Sequence, residues 1–280
     1  MVRQLQAKIP IYQSLVAVLV GLGVLLVLFP IIWMIFGSMR PVTETFGSPP
    51  AWIPHEITWD AYERLLSDPQ QVRFQLNTYI VALSTALLSV GLGSLAAYGF
   101  SRYRILGGQL ILLAILALQM LPTVSVIIPF FKMAFRLGFF DTYLTMILAD
   151  TVFALPISVW MLKGYVDSIP TDVEEAALVD GCSRLQVLYR IVMPLMLPGL
   201  VGTATFAFLY AWNDFVFASV LRESLDLAPV TVAIARFFTQ HNRDWPAIMA
   251  LNTIATLPLV AIFVFLQRYV VQGLTAGAVK

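Results

Sequence analysis

Cys182, His55 and His241 are the side chains of this sequence best suited to nucleophilic or metal chemistry, and their placement favours neither. No H-E-x-x-H and no cluster of His and Cys exists, so a metal site is not expected. The single cysteine excludes an intrachain disulfide, and both histidines lie in polar stretches far from it. The four lysines, Lys8, Lys132, Lys163 and Lys280, follow Ala, Phe, Leu and Val. A phosphate-cradling G-K-[ST] loop is therefore missing, and with it a P-loop nucleotide site. The segment Gly91–Ala96, GLGSLA, imitates a dinucleotide fingerprint but sits inside an apolar run with no strand before it. An enzyme is disfavoured, and no cofactor is expected in this chain.

A second group of polar residues lies within or near long apolar runs: Gln119, Asp150, Asn213, Asp214 and Asn252. Such groups are costly in hydrocarbon and face a bundle interior or a polar cavity. Interhelical hydrogen bonding accounts for Asp150 and Asn252. Trp212, Asn213 and Asp214, with Gln119 beside Pro122, also suit a second use. An indole face with amide and carboxylate groups matches the apolar face and hydroxyls of a sugar. On a continuous helix, Asn213 and Asp214 would point about 100° apart, and the amide, which both donates and accepts, is the better cavity group.

The most ordered polar segment is TDVEEAALVDGCSRLQVLYRIVMP, residues 171–194. Thr171 and Glu174 have the spacing of a capping box, and Ser183 with Gln186 repeats it. Asp172, Glu174 and Glu175 would lie in a first turn, where the helix dipole favours acids. Gly181 can take the left-handed conformation that ends a helix, and Pro194 is expected to end the second one. Two short helices should meet at a glycine elbow. Ala176 and Ala177 would give the first a low-relief surface, and Leu185, Leu188 and Val192 would give the second an apolar stripe.

The elements that position these groups are set by hydropathy. The chain has 280 residues, 59% hydrophobic and 12% charged, against about a quarter charged in soluble proteins. A net charge of +1 gives no reason to expect nucleic acid. Six runs reach the roughly 20 residues that a bilayer core requires: Leu15–Phe36, Asn77–Phe100, Leu110–Phe131, Tyr143–Leu162, Pro198–Val220 and Ala247–Gln267. None alternates as a barrel strand would. The expected fold is an all-α integral membrane protein, a bundle of six transmembrane helices with a cytosolic helix-turn-helix segment. The first run is too long for a signal-peptide core of about 7–15 residues and reads as a retained span. Ser101-Arg102-Tyr103-Arg104 and the basic start of the chain, with Arg3 and Lys8, place residues 163–197 and both termini in the cytosol. Residues 37–76 and 221–246 then lie outside, which separates Cys182 from both histidines. Ser89, Gly93 and Ala97 form a small-xxx-small face for close helix contact. Pro122, Pro156 and Pro258 are expected to bend their helices.

The spacing Glu175-Ala176-Ala177, three residues, Gly181, nine residues, then Ile191-Val192-Met193-Pro194 resembles the EAA loop of ABC-importer permeases. Met193 stands where that pattern has leucine. Tyr210–Phe215 (YAWNDF) and the tail Gly273–Lys280 are also similar to carbohydrate permeases of this class, specifically the maltose-type second permease. The resemblance implies one permease domain over residues 1–280, with a coupling loop at about 163–197. The function it implies is an ATP-driven importer moving a sugar or sugar-like solute inwards. Its implied partners are a second, different permease chain, two cytosolic ATP-binding subunits that hold the ATP, an external solute-binding protein and the lipid bilayer. Glu174, Glu175, Ala176, Ala177, Asp180 and Gly181 would meet the ATPase subunit, Glu175 by pairing with a basic group. Gln119, Trp212, Asn213 and Asp214 are the candidate substrate pathway. An ion-gradient-driven transporter is the alternative. It predicts inverted repeats, and none is evident.

Overall fold

Long apolar helices dominate because every backbone polar group in a bilayer must be satisfied within its own segment. The computed structural model describes residues 2–45, 54–240 and 244–276, without the side chains of 2–11, 239–240 and 268–276. His241, the last four residues of the tail, and the side chains of Arg3, Lys8 and Arg268 lie outside the described residues. In chain order the helices are α1 (Val2–Ser38), α2 (Val42–Thr45), α3 (Asp60–Ser67), α4 (Pro69–Arg102), α5 (Gly108–Ala117), α6 (Thr123–Leu137) and α7 (Tyr143–Ser168). There follow α8 (Thr171–Val179), α9 (Arg184–Val187), α10 (Met193–Leu195), α11 (Leu197–Trp212), α12 (Val216–Val220), α13 (Val230–Gln240) and α14 (Trp245–Ala276). No strand occurs among the described residues.

Five segments are long and apolar enough to cross a membrane: Tyr12–Ser38, Pro69–Arg102, Tyr143–Ser168, Leu197–Val220 and Trp245–Gln267. The sixth expected span, Leu110–Phe131, is a bent pair, Gly108–Met120 and Thr123–Leu137, turned through 98°. Six spans are reached when that pair counts as one. Pro122 explains the break: it has no N–H to donate, and its ring keeps Leu121 out of the helical region, at φ −71°, ψ 132°. Pro156 and Pro258, by contrast, lie inside helices that run on past them, as does Pro129.

The chain forms two compact units, Met1–Asp68 with Arg236–Thr256, and Pro69–Ala235 with Leu257–Lys280. In the first, Gly37 lies where a β-carbon would come within 2.1 Å of the Met249 sulfur. The Ser38 hydroxyl shares a 2.6 Å hydrogen bond with the Tyr62 hydroxyl, and Thr58 N–H donates to the Met39 carbonyl at 2.9 Å. Arg64 pairs with Asp244 at 3.1 Å. Every residue of α1 from Tyr12 to Ile32 is exposed, so this stretch buries no side chain in the chain itself.

In the second unit, α4 packs along α7 and α11. Lipid tails are as apolar as leucine, so such helices associate through close contact and hydrogen bonds rather than through a hydrophobic drive. The expected small-residue face does this. Ser89, Gly93 and Ala97 are buried, and a β-carbon on Gly93 would stand 3.2 Å from Leu162 and 3.3 Å from Ser158 on α7. Ala82 and Ala86 of α4, Ala154 of α7 and Ala207 of α11 bring the three backbones together further along. Beyond them, the Asn77 amide donates to the carbonyls of Asp226 and Ala228, both at 2.8 Å, and its oxygen accepts from the Tyr143 hydroxyl at 2.7 Å. One side chain thus ties the loop before α13 to α4 and α7.

The tightest glycine approach in the second unit is at Gly199, where a β-carbon would lie 2.4 Å from the Tyr165 ring. Gly199→Ala should destabilise the protein by about 1–3 kcal/mol through overpacking. Thermal unfolding in detergent should show the loss, and adding Tyr165→Ala should recover part of it. A wild-type midpoint for Gly199→Ala alone would contradict the packing.

Candidate functional site

The elbow at residues 171–194 is built from two helix ends set back to back. α8 ends in a Schellman arrangement: Cys182 N–H donates to the Ala177 carbonyl at 3.0 Å, and Gly181 N–H to the Leu178 carbonyl at 3.1 Å. Gly181 has φ +88°, and nothing lies within 4 Å of the position its β-carbon would take. The glycine is required by conformation, not by space. Two residues on, Ser183 opens α9 with a complete capping box: its hydroxyl accepts from Gln186 N–H at 3.3 Å, and the Gln186 side chain accepts from Ser183 N–H at 2.8 Å.

The first expected capping box does not form. Pro170 precedes α8 with no side-chain cap, and Glu174 turns away from the helix start into the protein. Its carboxylate accepts from Arg102 Nε at 2.6 Å and from the Tyr98 hydroxyl at 2.9 Å. A charged partner in a dry setting outweighs a neutral cap, because charge-assisted hydrogen bonds are about twice as strong. The Arg102 Nη2 also donates to the carbonyls of Val166 and Ile169, both at 2.9 Å. Glu174 is 2% exposed. Removing one partner of such a buried pair costs about 3–5 kcal/mol.

The predicted residues of α8 therefore divide into two faces. Glu175, Ala176, Asp180 and Gly181 are exposed, and Glu174 and Ala177 are buried. Ala176 and Ala177 do not share a surface, as the turn of about 100° per residue requires. On the second arm the buried residues are Val187, Leu188 and Val192, whereas Leu185 is 57% exposed. Pro194 does not end that arm either. Leu188–Val192 form a π turn in which Met193 N–H reaches the Leu188 carbonyl. This widened turn accommodates the missing donor of Pro194, and the helical path continues to Leu195.

The pathway candidates are less united. Trp212 is 3% exposed, edge-on to Tyr79 at 4.9 Å and against Phe208, so its indole belongs to the packed core rather than to a cavity. The Gln119 amide donates to the Phe153 carbonyl of α7 and fastens the bent pair there. Asn213 and Asp214 are not on a continuous helix but in the break between α11 and α12. They line a cavity of about 460 Å³ together with Thr123, Phe206, Leu209 and Tyr210. The Asn213 amide donates back to the Leu209 carbonyl at 2.7 Å. The Asp214 carboxylate caps α12, accepting from Phe217 N–H at 3.2 Å and Ala218 N–H at 2.9 Å. The interhelical bonds expected for the other two polar residues are not found. Asn252 donates to Ile248 of its own helix at 2.8 Å, and neither carboxylate oxygen of buried Asp150 accepts a hydrogen bond among the described residues.

Known proteins share the sequence and fold of this helical bundle. The family model described as "Binding-protein-dependent transport system inner membrane component" matches residues 89–276. The chain belongs to this family. It is 38% identical over 256 residues to the trehalose/maltose transport system permease protein MalG of Thermococcus litoralis, covering 90% of this chain and 91% of that protein. It is 33% identical to the trehalose transport system permease protein SugB of Mycobacterium tuberculosis, over 94% of this chain and 96% of that one. Among solved structures, a bacterial ABC transporter involved in the import of the acidic polysaccharide alginate matches with a TM-score of 0.76 at 25% identity, covering 92% of this chain and 96% of that chain.

The protein is thus an ABC-importer permease of the inner membrane. The comparisons lend no support to the ion-gradient alternative. Sequence reasoning missed Tyr98 and Arg102 as partners of the elbow, and Thr123 and Tyr210 as cavity walls. In sequence Arg102 reads only as a topogenic charge, and no local spacing links it to a residue 72 positions away.

The capping by Asp214 makes a defined claim on stability. Asp214→Ala should cost about 1 kcal/mol by leaving two helix-start N–H groups without their acceptor, and Asp214→Asn should retain most of the cap. Thermal unfolding of the three proteins in detergent measures this. Equal midpoints for Asp214→Ala and wild type would exclude the cap.

Proposed function

We propose that the permease forms the membrane path for a sugar or sugar-like solute, powered by ATP-binding subunits that dock on the elbow. The observation that carries the reading is the exposed face of α8. Glu175, Ala176, Asp180 and Gly181 stand outward on a helix fixed at its far end by Gly181, while Glu174 and Ala177 anchor its other face. Glu175 meets a basic group of the partner, Ala176 allows close approach, and Gly181 holds the turn. The whole chain acts as one permease domain, and ATP is bound by two cytosolic partner subunits. The other half of the path is a second, different permease chain, and an external solute-binding protein delivers the solute. The sugar assignment rests on the relatives named above and on the cavity at the α11–α12 break. There the remaining N–H and the carbonyl oxygen of Asn213, with Thr123, suit hydroxyl groups, and the rings of Tyr210 and Phe206 suit a sugar's apolar face.

The complex reconstituted with its partners should take up radiolabelled trehalose or maltose in an ATP-dependent manner. Glu175→Lys reverses the charge offered to the partner. Gly181→Val places a β-branched residue at positive φ, at a cost of about 1–2 kcal/mol. Both should assemble but lose most solute-stimulated ATP hydrolysis. Asn213→Ala should slow uptake with basal hydrolysis intact. Normal stimulation in both elbow variants rules out docking at this site, and an unchanged uptake rate in Asn213→Ala rules out the cavity contact.

The elbow and both chain termini are assigned to the cytosol. In a Cys182→Ser background, a membrane-impermeant thiol reagent added to intact cells should label Glu223→Cys and leave Leu185→Cys unlabelled. The opposite pattern inverts the orientation.

A further inference from the structure

We propose that Arg102 is a positioning residue that makes the elbow, α4 and α7 move as one body, so that displacement of α8 is passed into the membrane helices. This rests on the docking role proposed above for the elbow. Three elements meet at one guanidinium. Arg102 ends α4, its Nε holds Glu174 of α8 at 2.6 Å, and its Nη2 holds the Val166 and Ile169 carbonyls at the end of α7, both at 2.9 Å. Tyr98, one turn earlier on α4, donates to the other Glu174 oxygen at 2.9 Å.

Each contact has a direction. The Val166 carbonyl already accepts from the Ile169 N–H at 3.1 Å and offers Arg102 its second lone pair, and a cation suits the negative end of the α7 dipole. A planar guanidinium presents its donors in a fixed fork, which the single ammonium of lysine cannot reproduce. The Arg102 side chain is 10% exposed and that of Glu174 2%, whereas the pairs His55–Glu44, Arg64–Asp244, Arg73–Asp226 and Lys163–Asp167 each have a partner at least 45% exposed. Pulling α8 from α4 would part the Glu174 carboxylate from the Arg102 guanidinium, and pulling α7 from α4 would take the Arg102 donor from the Val166 and Ile169 carbonyls. The surrounding contacts are apolar, among Tyr98, Val166, Ala177, Val187 and Leu188. These have no preferred direction and tolerate sliding. The ionic contact is therefore the part of the joint that resists relative motion.

The test uses the full complex in lipid, in a Cys182→Ser background, with spin labels at Leu95→Cys on α4 and Asp172→Cys on α8. In the otherwise wild-type complex the distance between the labels should be the same without nucleotide and after trapping with ATP and vanadate. Arg102→Ala should broaden that distance and make it differ between the two states. Transport per ATP, read with trehalose and maltose as probes, should fall by about tenfold in Arg102→Ala, with ATPase subunits retained and basal hydrolysis unchanged. Arg102→Lys should be intermediate, and Tyr98→Phe, which keeps the ion pair, should lose about twofold.

A residue needed only for folding would lower assembly without changing the ratio of transport to hydrolysis. Where Arg102→Ala fails to assemble, Arg102→Lys and Tyr98→Phe decide. Wild-type distances and a wild-type ratio in the assembled variants overturn the proposal. Unchanged coupling in these variants while Glu175→Lys and Gly181→Val are defective removes the clamp alone. Unchanged coupling in Glu175→Lys and Gly181→Val removes the docking reading itself.

Discussion

Close approach of three backbones, those of α4, α7 and α11, is the constraint on which the membrane-spanning part of this permease rests. Water drives apolar surfaces together in a soluble core, but hydrocarbon offers no such reward, so association has to come from contact area and satisfied polar groups. The sequence meets the first need with Ser89, Gly93, Ala97, Ala82, Ala86, Ala154 and Ala207, which leave little side chain between the helices. It meets the second at two distant places. Asn77 collects the loop before α13 at one end, and Arg102 collects α8 and the last carbonyls of α7 at the other. The cavity beside Asn213 opens where this close packing is relieved, between the broken helices α11 and α12.

The features legible in the sequence are those decided within a few residues or by bulk hydropathy. Span positions follow from apolar length, the Gly181 elbow from backbone conformation, and the Ser183–Gln186 box from one turn of local geometry. The misreadings have a common cause: a local preference lost to a distant partner. Thr171 and Glu174 carry a cap pattern as good as the second one, yet the carboxylate went to a guanidinium 72 residues away. Trp212 reads as an indole face offered to a sugar until Tyr79 and Phe208 are seen to enclose it.

Proline shows how context decides between outcomes that look alike in sequence. Pro122 breaks its span because Leu121 takes up an extended conformation and the chain turns by 98°. Pro194 is absorbed by a π turn, and Pro156 and Pro258 leave their helices continuous. The missing N–H is the same each time. The difference lies in whether the preceding turn widens, as at Pro194, or opens, as at Pro122.

The two helix ends that meet at Gly181 and Ser183 have a thermodynamic consequence. Fixing the backbone of one residue costs about 1–2 kcal/mol of conformational entropy. Between Ala176 and Gln186 that freedom is already lost in the free chain, because both ends are closed by their own hydrogen bonds. A molecule that seats on the exposed face of α8 meets a finished shape and has no loop to order. Less of its contact energy is then spent on ordering this chain, and the remaining cost is the translational and rotational freedom of the two bodies.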